Sequence, residues 1–552
     1  MIISHRKLQG KGYLLSGRNK RAVTVNIPTH RIIEELSRPE AYPEPIQGVR
    51  VLQTHISIVF LAGSRVYKVK KPVDLGFLDF TTLDKRHHFC LEELTLNRRL
   101  SPALYIDVIP ITEQNGNLKF GGSGTPVEYA VRMKRLDEAR FLSSLLERGD
   151  VTREMMERLA DKVAVFHTLA AASDKITRIG GTETIQFNTE ENFQQIEPYI
   201  GQSLSEKTFN LVVGYTRAFR EANEDLFRER EEGGWIRDGH GDLHAQHVYM
   251  NKDIQIYDCI EFNRRFRYAD ILCDASFLAM DIQMRGYADL ADRYTSAYLS
   301  ETGQLGMEAL YNFYSCYHAV VRGKVENFRS EDPDIKGEEK QSASQNARQY
   351  FKLAERYART PYPLSVLVTC GLMGSGKTFL ASGLSKLMDI QVLSTDRVRK
   401  ELAGIDPVSS RHVPFLEDIY SGQSTEQVYK EIFIRADRLL TEGCTVLLDG
   451  TFADPLRRKQ ALEVARGAGA RFLLLYLEAG EEILRSRLRE RTGKVTVTDG
   501  REEILADQMG NFVPPVDDPE GSLVSIDASG SESEMIKFAY HTVLSESSGL
   551  KT

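Results

Sequence analysis

The stretch Gly371-Leu-Met-Gly-Ser-Gly-Lys-Thr378 limits what this chain can be more than any other. It fits G-x-x-x-x-G-K-[ST], the spacing of a P-loop. The apolar run Ser365-Val-Leu-Val-Thr-Cys370 precedes it and reads as a buried parallel strand. Leu380, Leu384 and Leu387 follow at helical spacing. Strand, glycine loop and helix together make an anion site. Gly371, Gly374 and Gly376 permit the tight turn, and backbone N–H groups around Ser375 can surround a phosphate at the helix N-terminus. Lys377 is expected to reach the β- and γ-phosphates, and Thr378 to hold Mg²⁺. ATP and Mg²⁺ are therefore the expected cofactors.

At 552 residues the chain is too long for one core, so two or three domains are expected. With 41% hydrophobic and 27% charged residues it belongs among soluble globular proteins. A net charge of −7 gives no support for a nucleic-acid scaffold, though a local basic groove stays open. The six cysteines are scattered without a C-x-x-C pair, which suits reduced, buried thiols in a cytoplasmic protein. No apolar run approaches a membrane span, and no membrane partner is expected. Residues 1–26 are expected to be a basic, disordered tail without the apolar stretch of a secretory signal.

From Ile27 the pattern is that of a folded domain. Val51–Val69 alternates as a β-hairpin with its turn at Ala62-Gly63-Ser64, and Lys68 and Lys70 share one strand face. Phe80–Leu100 is helical and contains Glu92-Glu93. Strands are expected at Val108–Ile111, Leu118–Phe120 and Glu128–Met133, giving a small lobe on an antiparallel sheet. Helices are expected at Arg140–Glu147, Arg153–Ala172 and Glu206–Arg230, and Arg329–Ser344 is expected to be an exposed loop.

The second informative stretch is His240-Gly-Asp-Leu-His-Ala-Gln-His-Val-Tyr249, followed by Ile254-Gln-Ile-Tyr-Asp258-Cys-Ile-Glu261. Phosphoryl transfer needs a carboxylate beside the acceptor hydroxyl and another on the metal that bridges the phosphates. Asp242 and Asp258 are the candidates. A bland polar loop with hydrogen-bonded histidines is the competing reading.

This stretch resembles the aminoglycoside phosphotransferase and choline kinase group of the protein-kinase-like fold. The resemblance covers roughly residues 27–352, with the firm motifs in His240–Asp274. It implies that Asp242 is the catalytic aspartate and Asp258 the metal-binding one. By the same resemblance Lys68 is the strand lysine on the phosphates, with Lys70 as runner-up. Glu92 or Glu93, here Glu93, is its helix partner, and Asp274 braces the catalytic loop. Two features depart from the family. His247 stands where the group has a metal-binding Asn, and the hairpin at Thr54-His-Ile-Ser57-Ile lacks a glycine-rich loop. Mg²⁺ prefers hard oxygen ligands, so an imidazole at position 247 is unusual in its shell.

Beyond Pro361 strands alternate with helices, the pattern of a doubly wound parallel sheet. The strands Gln391–Asp396 and Thr445–Asp449 each end in an Asp, at the carboxyl edge where such sheets bind ligands. Asp396 is expected to orient or deprotonate an acceptor hydroxyl, or else to cap the helix that follows. Asp449 occupies a Walker-B position on the Mg²⁺ shell. Arg487 and Arg491, on an arginine-rich helix, are lid candidates for stabilising transition-state charge. This half is similar to the small P-loop kinases: gluconate and shikimate kinases, polynucleotide 5′-kinase and the zeta-toxin group.

The expected fold class is α/β multidomain. Residues 27–360 form a bilobal, protein-kinase-like α+β domain, and 361–552 a P-loop doubly wound parallel α/β domain. The expected function is a cytoplasmic bifunctional kinase acting on small hydroxylated acceptors. One alternative is a P-loop kinase gated by a catalytically weak N-terminal nucleotide-binding module. Another is 5′-polynucleotide phosphorylation, which the acidic charge disfavours.

Overall fold

The structure, a computed structural model, describes residues 27–333, 335–360, 363–405, 422–491, 502–515 and 522–545. The chain divides into two compact units. The first takes in Met1–Phe209 and Phe227–Ala354; the second takes in Asn210–Leu226 and Glu355–Thr552.

Six strands open the first unit: β1 (Val49–Gln53), β2 (Ser57–Ala62), β3 (Arg65–Lys70), β4 (Tyr105–Gln114), β5 (Asn117–Phe120) and β6 (Pro126–Lys134). They form one antiparallel sheet in the order β1-β2-β3-β6-β4-β5. The stretch expected as one hairpin is thus a three-stranded meander. Its first connection closes on Thr54, whose Oγ1 accepts the Ser57 N–H at 3.0 Å. Phe60, Tyr67 and Phe120 stack on one face of the sheet and build its core. Against the other face lies the helix Leu83–Asn97, capped by Thr82, whose hydroxyl accepts from the Lys85 N–H.

The rest of the unit is mainly helical. Short pairs interrupt it: β7 (Ile236–Asp238) with β10 (Tyr268–Asp270), and β8 (Val248–Tyr249) with β9 (Gln255–Ile256). The helices Thr182–Ile196, Ile271–Met284 and Glu308–Glu331 matter most for the site. The region expected as a loop at 329–344 is mostly helix, for Glu308–Glu331 runs into it and Glu338–Arg359 begins inside it. Glu338 and Glu339 sit in the first turn of that second helix, where carboxylates favour the positive end of the dipole. Ala343 and Ala347 supply its buried face. A charged run here is a helix start.

In the second unit β11 (Ser365–Cys370), β12 (Ile390–Ser394), β13 (Thr445–Asp449), β14 (Arg471–Glu478) and β15 (Ser522–Asp527) form a parallel sheet. The order is β12-β13-β11-β14-β15. Every residue of β11 and β13 is buried, as their continuous apolar runs require for strands covered on both faces. Asp396 is not the end of a strand, because β12 stops at Ser394 and Asp396 lies in the first turn of the helix Thr395–Leu402. Nor does it cap that helix, whose N-cap is Ser394. The segment Asn210–Leu226 joins this unit through Asn223, whose amide donates to the Leu544 carbonyl at 3.0 Å.

Candidate functional site

In the first unit the two strand lysines separate in role. Lys68 faces a cavity of about 1620 Å³ and sits 2.9 Å from Glu93 Oε1 and 2.5 Å from Asp258 Oδ1. Lys70, two residues on and 1% exposed, is enclosed by Glu93 Oε2 at 2.7 Å and by Glu261. Glu93 is fully buried between both lysines, whereas Glu92 is half-buried on the flank of the same helix. Burial works against the Lys68 charge, but Asp258 and Glu93 more than offset it and hold the ammonium well above its usual range. Glu261 was not among the expected site residues. Its partner is 191 positions away, and no local pattern announces such a pair.

The loop carrying Asp242 is fixed from below by Asp274. That carboxylate accepts from the His240 N–H at 2.6 Å, from the Gly241 N–H at 2.9 Å and contacts His167 Nε2 at 3.1 Å. Gly241 has φ +84°, and a Cβ there would lie 2.7 Å from the Phe266 carbonyl oxygen, so the turn demands glycine. His240 donates from Nε2 to the Tyr257 carbonyl at 3.0 Å, which leaves Nδ1 to accept the Asp242 N–H at 3.3 Å. Asp258 is itself held in the left-handed region, φ +64°, an unfavourable conformation for a non-glycine residue. The Cys259 N–H beside it is tied to Asn97 Oδ1 at 2.9 Å, one turn from Glu93.

His247 lies between the two aspartates. Its Nδ1 donates to the Asp242 carbonyl at 2.9 Å, so Nε2 is turned to Asp258 Oδ2 at 3.5 Å. Burial lowers its pKa to about 4, helped by the field of His244. Near neutral pH, Nε2 is therefore a bare lone pair facing a carboxylate oxygen. Two acceptors in that relation call for a cation between them, which is how metal-ligating histidines are oriented. Asp242, His244 and His247 also bring ligand atoms within 4.8 Å of one another. Burial raises the Asp242 carboxyl, but His244 and His247 outweigh it and hold the group far below the usual carboxylate range.

Asp274 makes the stability of this unit depend on pH. Burial pushes its carboxyl up, but the His167 hydrogen bond and charge pull it down to about 2. The folded pKa lies below the unfolded value of about 3.9, so the stabilisation is present above pH 4 and is lost as pH falls through 2. Asp274→Asn is expected to remove roughly 2 kcal/mol of pH-dependent stability from this unit across that window. Peptide-resolved hydrogen exchange against pH measures it; an unchanged slope in the variant would contradict it.

In the second unit the loop after β11 has φ +140° at Gly371, +83° at Gly374 and +98° at Gly376. A Cβ on Gly371 would lie 2.6 Å from the Leu477 carbonyl, and one on Gly374 3.1 Å from the Leu484 carbonyl. Thr378 Oγ1 donates to Asp449 Oδ2 at 2.9 Å, and Thr369 Oγ1 donates to the other carboxylate oxygen at 3.3 Å. Lys377 Nζ donates to the Leu372 carbonyl at 2.7 Å. Ser375 Oγ is buried without a hydrogen-bond partner and borders a cavity of about 420 Å³. A turn that only glycine allows, with an orphaned hydroxyl inside it, fits a phosphate, and the Thr378–Asp449 pair fits its divalent cation.

Asp396 accepts from Arg399 at 3.1 Å, and the neighbouring Thr395 hydroxyl reaches the Asp449 carbonyl at 3.2 Å. Arg487 is half-buried on the helix Glu481–Arg491, which packs Leu484 and Leu488 against Leu372 and Met373 of the loop. Arg491 closes that helix, and its side chain lies outside the described residues.

A family model described as an AAA domain matches residues 366–515. Among solved structures, a gluconokinase from Sinorhizobium meliloti is 19% identical, covering 33% of this chain and 94% of its own, with a TM-score of 0.25. A choline/ethanolamine kinase family protein from Mesorhizobium loti is 11% identical, covering 58% of this chain and 97% of its own, with a TM-score of 0.37. The protein Rv2004c of Mycobacterium tuberculosis is 31% identical over 458 residues, which are 82% of this chain and 89% of the relative. An alignment of that identity and extent, running through most of both chains, means that this chain belongs to the family of Rv2004c.

Proposed function

We propose that the chain is a bifunctional ATP-dependent phosphotransferase for small hydroxylated acceptors, with one nucleotide site in each unit. The observation that carries the reading is the convergence of Lys68, Asp258 and Asp242 on one cavity in the first unit. Its counterpart in the second unit is the Thr378–Asp449 hydrogen bond beneath the glycine loop. In each unit the acceptor oxygen bonds to the γ-phosphorus, the bond from that phosphorus to the bridging oxygen breaks, and ADP leaves. Asp242 orients the hydroxyl in the first unit and takes its proton; Asp396 has that role in the second. Lys68 and Lys377 hold the phosphates, with Arg487 and Arg491 as candidates to close over the second. Catalysis is then mostly positioning and charge placement. Asp258 and His247 in one unit, and Thr378 and Asp449 in the other, would hold a divalent cation, whose charge would neutralise the phosphates.

Equilibrium ATP binding tests this. Wild type is expected to bind two ATP per chain, and Lys377→Met and Lys68→Met one each. A single site in wild type would sink the reading.

A second reading rests on His247: the first unit binds nucleotide without turning it over and regulates the second. Metal preference separates the two. An imidazole ligand favours Mn²⁺ over Mg²⁺, and Asn restores an all-oxygen shell. His247→Asn is expected to lower the Mn²⁺-to-Mg²⁺ ratio of first-unit turnover by about tenfold or more. If neither protein turns ATP over at this site with either metal, the regulatory reading stands.

A further inference from the structure

Beyond Asp242, the cavity of the first unit continues between the helices Thr182–Ile196 and Glu308–Glu331. The first helix turns one polar face into it: Asn188, Glu191, Asn192 and Gln195, at spacings of three and four. The second contributes Arg322 and Lys324. Lys324 Nζ donates to Asn192 Oδ1 at 2.5 Å and to Gln195 Oε1 at 2.9 Å. Both acceptors are neutral amides, and among the described residues no carboxylate lies within ion-pair distance of this ammonium. An ammonium has three N–H donors, and the two amides use two of them.

The rest of the face does not supply the missing charge. Glu191 is the one acid this helix gives the cavity, and it is engaged by Arg265 Nη2 at 2.9 Å. Arg322 Nε is buried without a hydrogen bond, but the rest of that side chain is compensated: Tyr350 hydrogen-bonds it, Asp281 and Asp242 favour its charge, and Glu326 lies 3.7 Å away, so Lys324 is the cation left without an acid. Asn188 Oδ1 is buried and unpartnered. Burial lowers the Lys324 pKa to about 8, with Arg265 adding to the effect and Glu191 opposing it. Lys324 is half-buried, and a partly desolvated cation with no acid at ion-pair distance is costly, a cost that an anionic ligand lowers.

We infer that the acceptor of the first unit is a hydroxylated molecule carrying its own phosphate or carboxylate, seated on Lys324, and not a polycation. Asn188 and the flanking amides read its hydroxyls, and Arg322 joins the anion-binding end to Asp242. This rests on the phosphotransferase reading of the same site.

The full chain is titrated by calorimetry with glucose 6-phosphate, gluconate, glucose and the polycation kanamycin, each with and without ATP. At least one anionic probe is expected to bind about tenfold or more tighter than glucose, and kanamycin weakest. The phosphate and carboxylate arms identify which anion the site takes. Lys324→Gln is expected to abolish the anionic advantage and Lys324→Arg to keep it, with ATP affinity unchanged in both. The wild-type ranking stands as a test by itself should a variant fail to fold. Equal or better binding of glucose or kanamycin, no binding of either anionic probe, or an advantage that survives Lys324→Gln overturns the inference. Loss of ATP binding at the Lys68 site would instead overturn the phosphotransferase reading beneath it.

Discussion

Asp242→Asn is expected to lower phosphoryl transfer by the first unit about 10²–10⁴-fold while leaving ATP affinity and the Lys377-dependent activity of the second unit intact. The substitution keeps the shape of the side chain and removes its charge. The loop is held mainly by contacts other than the carboxylate, whose own neighbours are His244 at 3.6 Å and His247 at 3.7 Å. It is fixed by Asp274 from below, by the His240 ring on the Asp242 N–H, and by the Asp242 carbonyl on His247. Burial would favour the neutral acid here, yet the His244 contact and the Arg322 charge keep Asp242 ionised. A carboxylate held so low is a weak base. In the proposed reaction it aims the acceptor hydroxyl and receives its proton late; an amide oxygen can accept the hydroxyl's hydrogen bond but cannot take its proton. The effect therefore belongs in kcat, with the ATP dissociation constant within about twofold of wild type. Single-turnover transfer in a Lys377→Met background isolates the first unit. A rate equal to that of the parent would remove Asp242 from the chemistry.

Most of the second unit was legible because its sequence obeys local rules. The buried runs of β11 and β13, the glycine spacing and the alternation of strand and helix all follow from periodicity and backbone sterics. The placement of Asp449 beside the glycine loop follows from parallel topology, since β13 lies beside β11 and both end at the same edge. Asp396 was misjudged by two residues: Ser394 and Thr395 extend the β-branched and polar run, and nothing local says that the helix has already begun. Boundaries carry little energy, and propensity does not fix them.

The polar end of the first cavity was not legible for a different reason. The helix Thr182–Ile196 buries Asn188, Thr189 and Asn192 beside Ile185, Phe193 and Ile196. Polar residues on an inward face break the apolar stripe from which a helix is recognised. The residues that line a ligand site are those that obscure its helix, a local conflict of the kind functional sites carry. The choice between Lys68 and Lys70 was similarly closed to sequence. They share a strand face, and only the fold sets one on the cavity and the other against Glu261.

Lys70 carries the largest expected effect on stability. Its ammonium is 1% exposed and joins Glu93 to Glu261, which is 5% exposed. Burial pulls the lysine towards neutrality, and the two carboxylates hold it charged. Glu93 keeps a second partner in Lys68, at 2.9 Å. Glu261 has no such reserve within ion-pair distance among the described residues. Lys70→Met fills the same space with an apolar chain and strands the Glu261 carboxylate in the interior, at an expected cost of about 3–5 kcal/mol. Glu261→Gln in the same chain removes the stranded charge, so the double variant should recover a large part of the loss. The pH dependence has a definite sign. In Lys70→Met the folded state binds a proton at Glu261 above the unfolded pKa of about 4.3, because burial raises the carboxyl. The variant's deficit should therefore shrink as pH falls from 8 towards 5, which an ionised pair would not do. Hydrogen exchange of β3 and the helix Leu83–Asn97 measures the cost in this unit alone. A deficit that is flat with pH, or a double variant no more stable than Lys70→Met, would mean that Glu261 is not the group left unpaired.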